Sequence, residues 1–215
     1  MPRPSRFCGV ILAAGFSTRM GRDKALLPWP PREQAGSAAV RGQTFLSAAI
    51  RSLRPFTEIV IVVSGANETE IAAVVYSEGA SLVSNPEPQR GQFSSLRIGL
   101  QYVLDHGRDA ALITLVDRPP VRPTTIETLC AAFVSAHMDV WAVIPEHQGR
   151  HGHPYFAARE LIEAFLKAPA TATARQIEHQ HQPHIRYVPV DDPFVSVNVD
   201  TPEDYAALHH EDLSH

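Results

Sequence analysis

The chain has 215 residues, 44% hydrophobic and 20% charged, with a formal net charge of −4. That is enough for one sizeable core and excludes disorder, while the negative balance excludes a global field that recruits nucleic acid or an anionic membrane. Two cysteines, Cys8 and Cys130, exclude a disulfide scaffold and point to a reducing compartment; with no signal peptide apparent and no apolar run approaching the ~18–20 residues of a membrane span, a cytoplasmic protein is expected.

Taken in chain order, residues 7–13 read as a short buried strand. A loop rich in glycine, hydroxyls and cations follows, then a Pro, Ala and Gly-rich stretch at 28–42 that reads as a surface loop. Residues 45–53 have helical spacing with Thr44 as a cap, and 58–63 are a β-branched strand. Asn67 caps a helix to 76, Gly79 follows its end, and 80–84 form the next strand. Residues 94–106 read as a helix stopped by Gly107, 110–116 as a strong strand, and 123–137 as a helix with proline in its first turn. A strand at 140–144, helices at 160–167 and 171–179, strands at 185–190 and 195–199, and a helix at 202–209 complete the pattern. This alternation predicts a single α/β domain over 1–215, with a mostly parallel central sheet and helices on both faces. Such sheets bind ligands at the carboxyl ends of their strands, so the residues just beyond each strand carry the functional question.

After the first strand comes Leu12-Ala13-Ala14-Gly15-Phe16-Ser17-Thr18-Arg19-Met20-Gly21-Arg22-Asp23-Lys24. Small residues let backbone N–H groups approach phosphate oxygens, and Arg19 and Lys24 supply neutralising charge. A flexible glycine turn with solvated charges explains the same residues equally well. The spacing fails the P-loop pattern, because five residues separate Gly15 from Gly21 and the lysine comes three positions later. The dinucleotide pattern is absent too.

The stretch from Leu12 to Lys24 resembles the signature of the nucleotidyltransferase superfamily with a Rossmann-like three-layer sandwich fold. Within it, the pattern is similar to the molybdenum cofactor cytidylyltransferases and guanylyltransferases. The resemblance implies that Leu12, Ala13, Ala14 and Gly15 wrap the triphosphate of an NTP and that Arg19 and Lys24 contact its phosphates. Leu26-Leu27-Pro28 resembles the segment that follows, and Ala13-Ala14-Gly15 is similar to the cytidylyl branch, which favours CTP over GTP.

Two carboxylates complete the implied apparatus. Asp117, in Val116-Asp117-Arg118-Pro119, ends the strong strand. On its own it reads as a turn aspartate; the family's Gly-Asp-Met-Pro element, whose aspartate binds metal, resembles it apart from Val116 and Arg118. Thr201, Pro202 and Asp204 read as a capping box, which leaves Asp200 unexplained. By resemblance to the family's Asp-x-Asp-Thr-Pro element, Asp200 is the second magnesium ligand, with Asn198 a weaker neighbour. Magnesium takes one or two carboxylates together with phosphate oxygens, which suits the pair.

The run Gly91-Gln92-Phe93-Ser94-Ser95-Leu96 resembles the family's turn into a helix beside the nucleotide base, which implies a base-reading role for Ser94 and Ser95. Ser94 also reads simply as that helix's cap. Gly152-His153-Pro154 matches an element of the cytidylyl branch and is assigned to the acceptor side. His147, His151 and His153 fit no zinc spacing, and His179, His181, His184, His209 and His210 read as surface residues. No serine-hydrolase elbow or metalloprotease motif is present. The resemblance implies transfer of CMP from CTP to a phosphorylated small-molecule acceptor, molybdopterin, with Mg2+, and a molybdenum hydroxylase as a protein partner. A GTP- or sugar-phosphate-specific transferase and a non-catalytic cofactor-binding protein are the alternatives.

Overall fold

A computed structural model describes residues 7–31 and 43–208. Strands β1 (Cys8–Leu12), β2 (Ile59–Ser64), β3 (Ser81–Ser84) and β4 (Ala110–Leu115) alternate with helices α1 (Phe45–Leu53), α2 (Glu68–Ser77) and α3 (Gln92–Asp105). Helix α4 (Pro123–Val134) leads to β5 (Ala142–His147), β6 (Arg150–His151) and β7 (Tyr155–Ala158). Helices α5 (Arg159–Lys167) and α6 (Ala174–Gln180), β8 (Ile185–Pro189) and α7 (Pro202–Ala207) follow. The strands form one eight-stranded sheet in the order β3-β2-β1-β4-β7-β5-β6, with β8 also on β5. β1 pairs in parallel with both β2 and β4, Leu12 standing opposite Val63 and Leu115. Only β7 and β6 run against the rest.

The two-residue period of β1 divides the core. Phe7, Ile11 and Ala13 face one layer, with Ile50 and Leu53 of α1, Ile71 and Val75 of α2, and Leu129 and Phe133 of α4. Cys8, Val10 and Leu12 face the other, with Leu96, Leu100 and Val103 of α3, Leu161 and Phe165 of α5, and Ile177 of α6. Helices therefore cover both faces, as expected. Local signals set several boundaries. Thr44 caps α1 in a capping box with Ser47, and Thr201 caps α7 in one with Asp204. Pro123 opens α4, and Gly79 and Gly107 turn the chain at positive φ after α2 and α3.

Three expectations need correction, and one strand went unforeseen. Residues 195–199 are not a strand: they follow a 3-10 turn at Pro193–Val195, and the Ser196 and Val197 N–H groups donate back to Pro193 and Phe194. Val195 and Val199 are buried without a ladder, and Val197 is half-buried. Ser94 does not cap α3; Gly91 holds the cap position, and the Ser94 hydroxyl donates to the Gly91 carbonyl. Asn67 stands at the cap position of α2, but its side chain makes no cap bond there and is used elsewhere. The antiparallel strand β7 was not anticipated, because Tyr155, Phe156, Ala157 and Ala158 are all buried and show no alternation. The expected loop lies outside the described residues from 32 to 42, as do His209 and His210.

Candidate active site

β1 has β2 and β3 on one side and β4 on the other, so strand order reverses between β1 and β4. A cavity opens at the carboxyl ends of those two strands, lined by Leu12, Ala14, Gly15, Ser17, Lys24 and Asp117 on one side. Gly91, Gln92 and Ser95 at the start of α3 line the other. The loop between β1 and Lys24 has a built shape. Ser17 sits at φ 49, its carbonyl accepts from the Met20 and Gly21 N–H groups, and its hydroxyl accepts from the Lys24 N–H at 3.2 Å. Met20 is buried and anchors the loop, while Phe16 is exposed. Asn67 clamps it from outside: its amide donates to the Ala13 carbonyl and to Asp23, and its oxygen accepts from Gly65. Asp23 in turn accepts from the Ala25 N–H at 2.8 Å and caps the short turn Lys24–Leu26.

That turn aims Lys24 inward. Its ammonium lies 2.5 Å from Asp200 Oδ1 and 3.3 Å from Asp117 Oδ2, and Arg19 reaches Asp200 Oδ2 at 3.0 Å. Four residues picked from three distant parts of the chain thus meet at one point. Two hydrogen bonds stitch the carboxylate loops together: the Val199 N–H donates to the Asp117 carbonyl at 2.9 Å, and the Arg118 guanidinium donates to the Val197 carbonyl at 3.0 Å. The α7 capping box adds a third hold, since Asp204 accepts from the Asp200 and Thr201 N–H groups. Asn198 donates to Asp200 Oδ2 and so orients that carboxylate. Burial raises the Asp200 pKa, but hydrogen bonds and charge from Lys24 and Arg19 outweigh it and hold the group below the usual carboxylate range. Burial lowers the Arg118 pKa against the pull of Asp117 and Asp200.

Asp117 Oδ1 is buried and has no hydrogen-bond partner among the described residues. An unpaired carboxylate oxygen beside a cation-bridged pair of carboxylates fits a divalent ion, with the Lys24 ammonium standing in for it.

Sequence reasoning brought Ser94 and Ser95 together with the loop, and the structure divides them. Ser95 lines the cavity, whereas Ser94 lines a neighbouring surface recess. Both hydroxyls accept from the amide of Asn85, which is 2% exposed and sits just beyond β3. Asn85, Asp23, Asn67 and Arg118 hold the site in shape but do not stand out in sequence; their shared signal is a polar side chain immediately beyond a strand or loop turn. Gly152, His153 and Pro154 do not line the cavity that holds Lys24. Gly152 is pressed against the turn at 193–195, where a β-carbon would overlap the Val195 carbonyl, and the His153 N–H donates to that same carbonyl. The His153 ring borders a second cavity, with a sealed Nδ1 that has no partner among the described residues. Burial, then the nearby Arg118 charge, push its pKa down to about 3. His147 contacts the Val190 carbonyl and His151 pairs with Glu146 and stacks on Tyr187, so the three histidines do not converge. His181 and His184 pack against Trp141.

Comparison with known proteins gives a consistent picture. Residues 9–185 match the family described as MobA-like NTP transferase domain. A probable molybdenum cofactor guanylyltransferase of Rhodopirellula baltica is 33% identical over 130 residues, 60% of this chain and 57% of that protein. The molybdenum cofactor cytidylyltransferase of Escherichia coli is 23% identical over 91% of this chain and 92% of its own length. Among solved structures, Rv0371c of Mycobacterium tuberculosis superposes with a TM-score of 0.75 at 24% identity, covering 96% of this chain and 99% of that one. The same mycobacterial protein has also been solved in complex with manganese.

Proposed function

The chain belongs to the family of MobA-like NTP transferase domains, and from that premise we propose that it transfers CMP from CTP to molybdopterin and releases pyrophosphate. The observation that carries this reading is the convergence of Lys24, Arg19, Asp117 and Asp200 beside the glycine loop at the sheet's switch point. The triphosphate lies along the loop from Ala13 to Lys24, where small residues bring backbone N–H groups close and Arg19 and Lys24 neutralise the tail. An oxygen of the acceptor's phosphate monoester attacks the α-phosphorus, a phosphoanhydride bond forms, and the bond to pyrophosphate breaks in line. The acceptor brings its own nucleophile, so the residues' work is positioning and charge stabilisation. A magnesium ion held by Asp117 and Asp200 would supply further neutralisation of the phosphate oxygens. Gly152, His153 and Pro154 belong to the acceptor side in this reading. A molybdenum hydroxylase receives the product, and the protein works in the cytoplasm.

Support for CTP rests on Ala13-Ala14-Gly15 and on the cytidylyltransferase relative that aligns over 91% of the chain. One observation favours a second reading, with GTP as donor: the 33% identical relative is named a guanylyltransferase. A panel of NTPs with molybdopterin and Mg2+, scored by pyrophosphate release, separates them. CTP should be turned over fastest. A preference for GTP overturns the cytidylyl assignment, and no metal-dependent release with any NTP overturns the transferase reading.

A further inference from the structure

A second cavity of about 490 Å³ adjoins the nucleotide cavity and shares Leu12, Gly91 and Gln92 with it. Its size suits a small ligand. Its floor is apolar, built from Phe93, Leu96, Ile113 and Leu115, with His153 and Tyr155 at one side. The segment 170–175 and α6 form the opposite wall, and α6 brings in Glu178. Glu178 is the one carboxylate on these walls among the described residues. No hydrogen bond or ion pair from a described residue reaches its side chain. Arg175, one turn earlier, acts on it only through its field, and burial raises its pKa against that pull. A half-buried carboxylate without a partner costs free energy unless something it faces donates to it.

We propose that Glu178 reads the aminopyrimidinone edge of a flat heteroaromatic ring held in this cavity, and that the ring is the pterin of the acceptor. The inference rests on the reading above for the identity of the ring, and on the cavity for everything else. An ionised carboxylate has two acceptor oxygens side by side. A 2-amino-4-oxo ring presents an N–H and an NH₂ side by side, so the two match as a bidentate, charge-assisted pair. The apolar floor and the Tyr155 and His153 rings offer flat surface for the ring body. The neutral His153 carries no charge to compete for Glu178. The opening towards Gly91 and Gln92 leaves the ring's phosphate-bearing substituent facing the nucleotide cavity. Pairing with the ring supplies the partner that Glu178 lacks, which gives a half-buried carboxylate at this place a physical reason.

The test is a binding titration of the full chain, without NTP or metal, using 2-amino-4-oxopteridine and 2,4-dioxopteridine. The dioxo ring has a carbonyl in place of the amino donor. The native chain should bind the amino ring about tenfold more tightly than the dioxo ring. Glu178→Gln should lose that preference by weakening the amino ring about tenfold, with the dioxo ring and the thermal midpoint little changed. Should E178Q fold poorly, Glu178→Asp keeps the carboxylate and should keep the preference. Equal affinity of the native chain for the two rings, no binding of either at millimolar concentration, or an E178Q chain that still prefers the amino ring overturns the proposal. The assay involves no turnover. A chain that shows the ring preference but releases no pyrophosphate loses the transferase reading alone. One that turns over molybdopterin with an unchanged KM in E178Q loses the Glu178 assignment alone.

Discussion

Lys24 is the residue on which the site turns. It is 8% exposed and contacts both carboxylates, whereas Arg19 reaches Asp200 from a side chain that is 67% exposed. The two cations therefore should not be equal. Lys24→Ala is expected to lose about 10²–10³ in turnover, the cost of one preorganised charge-stabilising donor. Asp117→Asn should lose more, because on the reading proposed above it removes a ligand from the ion that would organise several phosphate oxygens. Pyrophosphate release with each purified variant checks both, and near-native turnover in either would remove these roles. At this scale much was legible in sequence. Arg19, Lys24, Asp117 and Asp200 each stand at the end of a recognisable pattern. What the sequence does not carry is the direct Lys24 contact to both carboxylates, since a pattern match names residues without their distances. Glu178 escaped notice for a related reason: an acid on a polar helix looks solvated until the fold places it on the wall of a cavity whose floor is Phe93 and Leu96.

Among the elements, the short ones govern precision. α7 is six residues long, yet its capping box fixes the backbone at Asp200. Thr201→Ala should cost about 1 kcal/mol of stability, as loss of an N-cap does, whereas Asp204→Ala should also lower turnover because the Asp200 N–H loses its acceptor. Chemical denaturation and pyrophosphate release read the two effects separately. Among the described glycines, Gly152 in the link between β6 and β7 leaves the least room for a β-carbon. Gly152→Ala forces the Val195 carbonyl away and should cost about 3 kcal/mol by overpacking against backbone; a thermal melt that did not move would contradict that packing. These elements mark where sequence reading ran out. α3 was readable from its helical apolar period, and β4 from its six-residue, almost wholly apolar run. The stretch 193–200 was not, because Val195, Val197 and Val199 imitate a strand while their N–H groups close turns or reach the Asp117 loop. β7 failed in the opposite way, being buried on both faces and only four residues long.

The molecule as a whole should be sensitive to mild acid, for a reason that lies at His153. Its folded pKa of about 3 is far below the ordinary 6.5, so the unfolded chain binds the extra proton over that interval. Stability should therefore fall as pH drops from about 6.5 towards about 3. Asp200 acts in a lower window: its folded pKa is depressed, so its contribution is full above the unfolded value of 3.8 and is lost as pH falls below it. A series of thermal midpoints between about pH 7 and pH 5 isolates the histidine. His153→Phe should flatten that slope, and an unchanged slope would place the acid sensitivity elsewhere. The central fold class was readable because alternation of strand and helix leaves few alternatives. The reversed direction of β7 within it was not, since nothing local encodes it. The latch around Lys24 also has a history in time. Its partners lie 93 and 176 positions later in the chain. At ~5–20 residues per second a ribosome delivers the second carboxylate roughly ten to thirty seconds after the lysine. Until then Asn67 and, once it has emerged, Asp117 are the loop's holds, so translation itself sets when the grip can close.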